Sequence, residues 1–514
     1  MLSSESGELR EPLGPAPEKA AERVTVDEML QKYCGEFGRW QINQFLLISL
    51  CWILDAFHTM VIIFADRVPD RRCLTGCAAA GNNDVCGLPP GSWEWVGGAG
   101  SSTVSEWGLI CGEKYKVGLS QAMFFVGGMI GDAIFGIISD STFGRKRSLV
   151  VVCAFNAIFG CLTAFSQSYW IYTFLRFLTG VTTSGNGLCV FVLTTEPIGP
   201  SKRGTVGMSS FYFFSIGIAI LAAIAYFFQS WRTLYIASSI PSFFLLVLPF
   251  ISESPRWYLI HGKMKEAMSV MTSIAESNGN TIPDGVMLAL DMEANDDVLQ
   301  QARGKKETTT LSNLMDVMIH SPGVRGRLFL ASSMSFMCAV VYYGLSLNVV
   351  NLKTNLYLTV VLNAIVEVPA FVVTAVLVNI LGRKGVGILT FWFSGFFCLV
   401  GSSLSSDGGW KTTKTVCGVL GMFGMAGNYS LLFLYCAELF PTEVRNTMVG
   451  LTMQAIELGA ILAPFLVLLG ERLPLMVFAV SGIVGGVIVI FTPETMNKPL
   501  YDTIVGMERG EANT

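Results

Sequence analysis

Twelve times along its 514 residues, this chain runs through a stretch of about 20 residues with almost no charge, the length at which an α-helix crosses the hydrocarbon of a bilayer. The stretches are 41–64, 118–138, 149–166, 169–191, 205–228, 232–251, 327–349, 355–380, 386–404, 413–435, 446–469 and 474–491. Inside a membrane every backbone N–H and C=O must be satisfied within the protein, so only helices and closed barrels can span it. Each stretch is about twice the length of a barrel strand, which selects helices. Composition agrees, because 14% of the residues are charged against roughly 25% in soluble domains. The expected fold is an all-α membrane protein of twelve transmembrane helices in two six-helix bundles, residues 41–251 and 327–491. Polar segments 1–40, 252–326 and 492–514 surround them.

Lysine and arginine near the helix ends set the orientation. GRKR (144–147), SKR (201–203), PRW (255–257), RGR (325–327), GRK (382–384) and Arg445 fall on one side. The opposite short loops hold only Arg232, Lys353, Lys411, Lys414 and Arg472. Both termini are then cytosolic, and residues 65–117 form an extracellular or lumenal loop. Residues 1–39 contain no apolar core, so the first span is expected to act as its own insertion signal. The outer loop carries Cys73, Cys77, Cys86 and Cys111. An even set in a polar segment facing an oxidising space reads as two disulfides of open connectivity, and a zinc site is disfavoured by the lack of histidine there. A net charge of −4 without a basic block offers nucleic acid no footing. GxSxG, HExxH and P-loop motifs are missing, and the three histidines (His58, His261, His320) are scattered. No enzyme, metal or cofactor is therefore expected.

The two halves repeat one another. GIISDSTFGRKR (136–147) follows the second span, and LVNILGRKG (377–385) follows the eighth. Glu196 with Arg203 follows the fourth, Glu438 with Arg445 the tenth. SESPRW (252–257) follows the sixth and PETMNKP (493–499) the twelfth. Gly144 and Gly382 are 238 residues apart, Glu196 and Glu438 242, Glu253 and Glu494 241. Landmarks recurring in one order at nearly one displacement mark an internal duplication.

These landmarks resemble the major facilitator superfamily, whose loop between the second and third helices reads G-x-x-x-D-R-x-G-R-[RK]. Gly136, Asp140, Gly144, Arg145 and Lys146 match it; Ser141 stands where Arg is usual, and Asn379 replaces the acid of the second copy. ESPRW and PET are shared by the sugar-porter and organic-ion branches. The four-cysteine loop, VYYGLSLN (341–348) and AELFPTEVRN (437–446) resemble the organic cation/carnitine transporters. The first loop carries no N-x-S/T sequon, which is similar to the plant-type members. The resemblance covers about residues 40–500. It implies a monomer in the plasma membrane, or alternatively the vacuolar membrane, that rocks two bundles about a central site. It also implies a cytosolic gate in which Asp140, Arg145, Glu196, Arg203, Glu253, Arg256, Glu438 and Arg445 pair across the two bundles in the outward-open state and part in the inward-open one.

QAIELGAILAPFLVLLG (454–470) places Glu457 in an apolar helix, at a cost of about 2.5–3.5 kcal/mol on insertion scales. Such acids face a wet cavity or a partner, and Arg176 is the main candidate partner. In the resembled family this position is acidic in members that move cations. Glu457 is therefore expected to bind a small organic cation: a quaternary ammonium, polyamine or carnitine-like solute. The family-matched lining positions are Glu367, Tyr342, Phe214 and Tyr429, whose rings would each add about 0.5–2 kcal/mol of cation–π attraction. Asp55 with His58, and Asp132, are ionisable groups at membrane depth and candidates for proton coupling. Membrane potential alone gives a monovalent cation about 2.3 kcal/mol per 100 mV, roughly fifty-fold accumulation. The alternatives are a proton-coupled sugar transporter, for which the seventh span lacks a QQxxG pattern, and a non-transporting receptor on the same fold. KETTTLSN (306–313) is a candidate regulatory tract.

Overall fold

The computed structural model describes residues 22–74, 86, 91–245, 250–289, 321–352, 354–405, 410–441, 444–496, 504 and 507. Cys77, KETTTLSN (306–313) and His320 lie outside them. Ten described helices are long and apolar enough to cross a membrane: Arg39–Ala65, Cys111–Asp140, Arg145–Thr163, Tyr169–Thr195, Pro200–Phe227, Pro322–Leu352, Leu356–Ser403, Trp410–Leu439, Thr447–Val467 and Leu473–Ile490. Leu356–Ser403 holds the eighth and ninth spans end to end, turned at Gly382, whose φ of 78° is left-handed. Trp231–Leu245 is the described part of the sixth. Several helices outrun their apolar stretches. The third starts at Arg145, because backbone hydrogen bonding continues into the charged turn after hydropathy has stopped.

Close packing inside the first half depends on missing side chains. A Cβ on Gly127 would stand 2.1 Å from the Phe177 carbonyl oxygen, and one on Gly131 2.1 Å from that of Val181. The second and fourth spans thus touch backbone to backbone, which small residues four apart permit.

Between the halves, the second span faces the eleventh and the fifth faces the eighth. The two bundles meet at both ends. At the end that carries Gly144 and Gly382, Phe433 of the tenth span packs on Phe211 (5.0 Å between ring centres) and Phe191 (6.1 Å). At the outer end, Tyr357 of the eighth span stacks on Phe64 at 5.5 Å, meets Tyr226 at 5.6 Å and accepts a 2.9 Å hydrogen bond from Arg67. Lys114 donates to the Leu468 carbonyl at 3.2 Å.

Two extramembrane features go beyond the sequence reading. In the outer loop, Ser102 caps the short helix Thr103–Trp107. Trp107 packs among Tyr169, Tyr172 and Trp231, while Glu106 accepts from Trp231 Nε1 at 2.7 Å and pairs with Arg232. A disulfide joins Cys86 to Cys111, and Cys73 is disulfide-bonded as well. At the end of the bundles that carries Gly144, the N-terminal segment docks onto the central segment. Glu22–Val24 pairs in parallel with Val286–Leu288. Helix Val26–Met29 begins with a capping box between Thr25 and Glu28. Val24, Met29, Leu30 and Cys34 share a buried core with Leu259, Met271 and Ile274 of helices Pro255–Ile260 and Met264–Ser277.

Candidate functional site

Glu457 lies near the middle of the helix Arg445–Val467 and points into the seam between the halves. Its Oε2 is buried without a hydrogen-bond partner. A Cβ placed on Gly128 of the second span would come 3.1 Å from that oxygen and 2.6 Å from Ser184 Oγ. One helical turn beyond Gly128 stands Asp132, within electrostatic reach of Glu457. Arg176 does not neutralise Glu457, because its guanidinium donates to the His58 carbonyl (2.9 Å) and Gln121 Oε1 (2.8 Å) and lies 4.3 Å from the Phe124 ring centre.

Two tyrosines, Tyr343 and Tyr429, lie within electrostatic reach of the carboxylate, and their hydroxyls approach within 3.5 Å. Tyr342 stacks on Tyr429 at 4.7 Å and donates to Glu367 Oε1 at 3.2 Å. Glu367 also accepts from Ser215 Oγ across the seam. Of the five expected lining residues, Tyr342, Tyr429, Glu367 and Glu457 fall into one neighbourhood. Phe214 stands aside and packs against Trp52. Phe211, one turn earlier, reaches Tyr429 (5.9 Å) and Phe371 (6.2 Å) instead.

Asp55 and His58 share a helix but not a partner. Asp55 accepts from Asn186 Nδ2 at 2.6 Å and lies within electrostatic reach of Asp132. His58 Nε2 is 3.5 Å from Ser242 Oγ. Spacing along the helix gave the shared side but not the direction of each side chain. A further buried acid, Asp66, escaped the sequence reading. It accepts from Thr103 (2.7 Å), Tyr172 (2.8 Å) and Ser120 (3.1 Å). Its position directly after the first apolar stretch was the available signal.

The charges expected to form a gate between the bundles in the outward-open state are paired within each half in this conformation. Among the described residues every pair joins groups on one side of the seam. Arg145 pairs with Asp140 (2.7 Å) and Glu196 (3.4 Å). Arg383 makes a bidentate contact to Glu438 at 2.9 Å on each arm. The physical reason is the turn before each arginine. Gly144 and Gly382 have φ of 91° and 78°, which folds the following helix start back over its own bundle. The exposed amides there are capped by a carboxylate from the end of that same bundle. Glu253 accepts from the Lys146 N–H at 3.0 Å, and Glu494 accepts from those of Arg383 and Lys384 at 3.0 Å. Burial raises the Glu253 carboxyl above its ordinary range in spite of its amide bonds. Around Glu494 burial also pushes upward, but four amide N–H groups outweigh it and hold the carboxyl below that range.

Arg203 and Arg256 converge on a residue that the sequence reading passed over. Asp27 of the docked N-terminal segment accepts from Arg203 at 2.6 Å and also pairs with Arg256. Burial pushes the Asp27 carboxyl upward, yet the hydrogen bonds and charges of the two arginines prevail and hold it below the usual carboxylate range. Arg203 also donates to the Ile198 carbonyl and Arg445 to that of Phe440, at 3.0 and 3.2 Å.

Comparison with known proteins gives the family. A family model described as sugar (and other) transporter matches residues 92–504. The chain is 60% identical over 495 residues to organic cation/carnitine transporter 4 of Arabidopsis thaliana, spanning 96% of this chain and 93% of that one. It is 30% identical over 516 residues to the organic cation transporter protein of Drosophila melanogaster, spanning 92% of each. In three dimensions it is similar to the partially occluded inward-open form of the xylose transporter XylE from E. coli, with a TM-score of 0.63 at 15% identity over 90% of this chain and all of that one (100%). That structural likeness concerns the fold alone. The relatives span nearly the whole length, and the chain belongs to the organic cation/carnitine transporters of the major facilitator superfamily.

Proposed function

We propose that the protein moves small organic cations across its membrane by alternating access, with Glu457 as the anchor for the positive charge. One observation carries this reading: a buried carboxylate oxygen in the seam, without a hydrogen-bond partner, within electrostatic reach of Tyr343 and Tyr429. A cation between acid and rings would satisfy both, and rocking of the bundles would expose it to either side. Membrane potential supplies the driving force. Asp132 faces the same seam, and a proton on it would offset the second negative charge when a monovalent cation binds. We place both termini in the cytosol from the distribution of Lys and Arg.

Uptake of tetraethylammonium into proteoliposomes under an imposed voltage tests the reading. A charge pair at 4 Å is worth about 4 kcal/mol at an effective dielectric of 20, or up to roughly a thousandfold in affinity. Glu457→Gln should therefore raise KM by two to three orders of magnitude while the protein still folds. Wild-type KM in that variant would overturn the assignment.

A further inference from the structure

A second polar station lies in the seam away from Glu457. Met60 and Ile63 of the first span, Ile218 of the fifth, Ser346 of the seventh, and Val360, Asn363 and Glu367 of the eighth line a partly open recess with about 10 Å³ of room for the centre of a water-sized group. That is space for one water-sized group. Its polar lining includes three acceptors. Glu367 is fully buried and takes hydrogen bonds from Ser215 and Tyr342, which leaves lone pairs unused on a carboxylate that can accept about four. Asn363, one turn earlier on the same helix face, is 8% exposed, and its Oδ1 is buried with no partner. Ser346 spends its proton on the Tyr342 carbonyl at 2.9 Å, so its oxygen is left to accept. The remaining wall is aliphatic.

We propose that this cavity is a subsite for a primary ammonium group. An –NH₃⁺ presents three N–H donors, and the cavity offers three acceptors: Glu367, Asn363 and Ser346. A trimethylammonium group has no donor and does not fit a space of one water. The Tyr342–Tyr429 stack separates this station from Glu457, so a flexible diamine would meet a carboxylate at each end and rings between. The inference rests on the cation-transport reading and narrows it: cations bearing a primary amine are preferred to quaternary ones on the same skeleton. Asn363 is the residue that sets the preference.

The test is uptake of n-hexylammonium and n-hexyltrimethylammonium into proteoliposomes at fixed voltage, read as the ratio of their KM values. A charge-assisted hydrogen bond is worth roughly ten- to a hundredfold in affinity. Wild type should therefore favour the primary amine by at least about tenfold. Asn363→Leu should bring the ratio close to one, and Asn363→Asp should keep or widen it. Ser346→Ala should narrow it independently, so the result does not depend on one variant folding. A ratio near one in wild type, or an unchanged ratio in both Asn363→Leu and Ser346→Ala, would mean that the cavity holds a resident water only and overturns the proposal. Uptake of neither compound by wild type would sink the cation reading and this subsite together. Equal uptake of both sinks the subsite alone.

Discussion

Removing the Asp27 carboxylate should undock the N-terminal segment. Asp27 joins Arg203 at the start of the fifth span to Arg256 at the start of helix Pro255–Ile260. Hydrogen bonds to charged groups contribute about 1.5–3 kcal/mol when buried, whereas exposed ion pairs contribute about 0.2–1 kcal/mol. The three side chains keep 35%, 34% and 24% of their surface, so about 1 kcal/mol for each contact is appropriate after solvent screening. Asp27→Ala then weakens docking by about 2 kcal/mol, a roughly thirty-fold rise in the open population. Cys34 reports that population. It is buried in the docked core, with its sulfur 3.5 Å from the Met271 carbonyl, and burial pushes its thiol up to about 11. Labelling at neutral pH therefore proceeds through opening. Maleimide modification at Cys34, followed by mass spectrometry of that peptide, should accelerate about thirty-fold in Asp27→Ala and by less in Asp27→Asn, which keeps an acceptor. An unchanged rate in Asp27→Ala would show that the apolar core alone holds the segment, and would refute the argument from the arginine pair.

The same clamp has a defined pH range. Because the folded-state pKa of Asp27 is depressed, its contribution is complete above the unfolded value near 3.9 and is lost only as pH falls through the lower folded value. Amide exchange protection over residues 22–36, corrected for intrinsic rates, should be flat from pH 8 to 6, and a loss between 6 and 5 would contradict the assignment. Gly131→Ala forces a Cβ to 2.1 Å from the Val181 oxygen and should cost about 1–3 kcal/mol through overpacking; an unshifted heat-denaturation midpoint would refute the close approach of the second and fourth spans. Tyr357→Ala removes the ring contacts and the Arg67 hydrogen bond at the outer end, together about 3 kcal/mol. In a Ser346→Cys background it should speed labelling by an impermeant thiosulfonate applied from the outer-loop side at least tenfold. Equal rates would place the outer barrier elsewhere.

The spans were legible because hydropathy needs no knowledge of tertiary neighbours, and the duplication was legible because Gly144 and Gly382 recur with their glutamates. Glu457 announced itself as an acid in an apolar run. Direction was not legible. Helical spacing put Phe214 and Phe211 on related faces, yet only Phe211 reaches Tyr429. The gate charges are expected to bridge the bundles in the outward-open state, and in the conformation described the left-handed turns at the two glycines keep them on their own bundle. Asn363 carries no charge and sits in an apolar segment, so only its i, i+4 relation to Glu367 could have singled it out. Docking of residues 22–36 depends on partners more than 200 positions away, such as Met271 for Cys34. The Thr25–Glu28 capping box was nonetheless a local sign of order there.

That each half keeps its own charges has a bearing on the surroundings in which the protein can work. Among the described residues, rocking the bundles parts no pair of opposite charges; what separates is aromatic surface, the hydrogen bonds of Arg67, Lys114 and Ser215, and the like charges of Asp132 and Glu457. Mobile ions screen charges over about 8 Å at physiological ionic strength but have no comparable hold on contacts between rings. The balance between closed and open forms should therefore be nearly indifferent to electrolyte, and the same turnover machinery would serve a dilute compartment as well as a briny one.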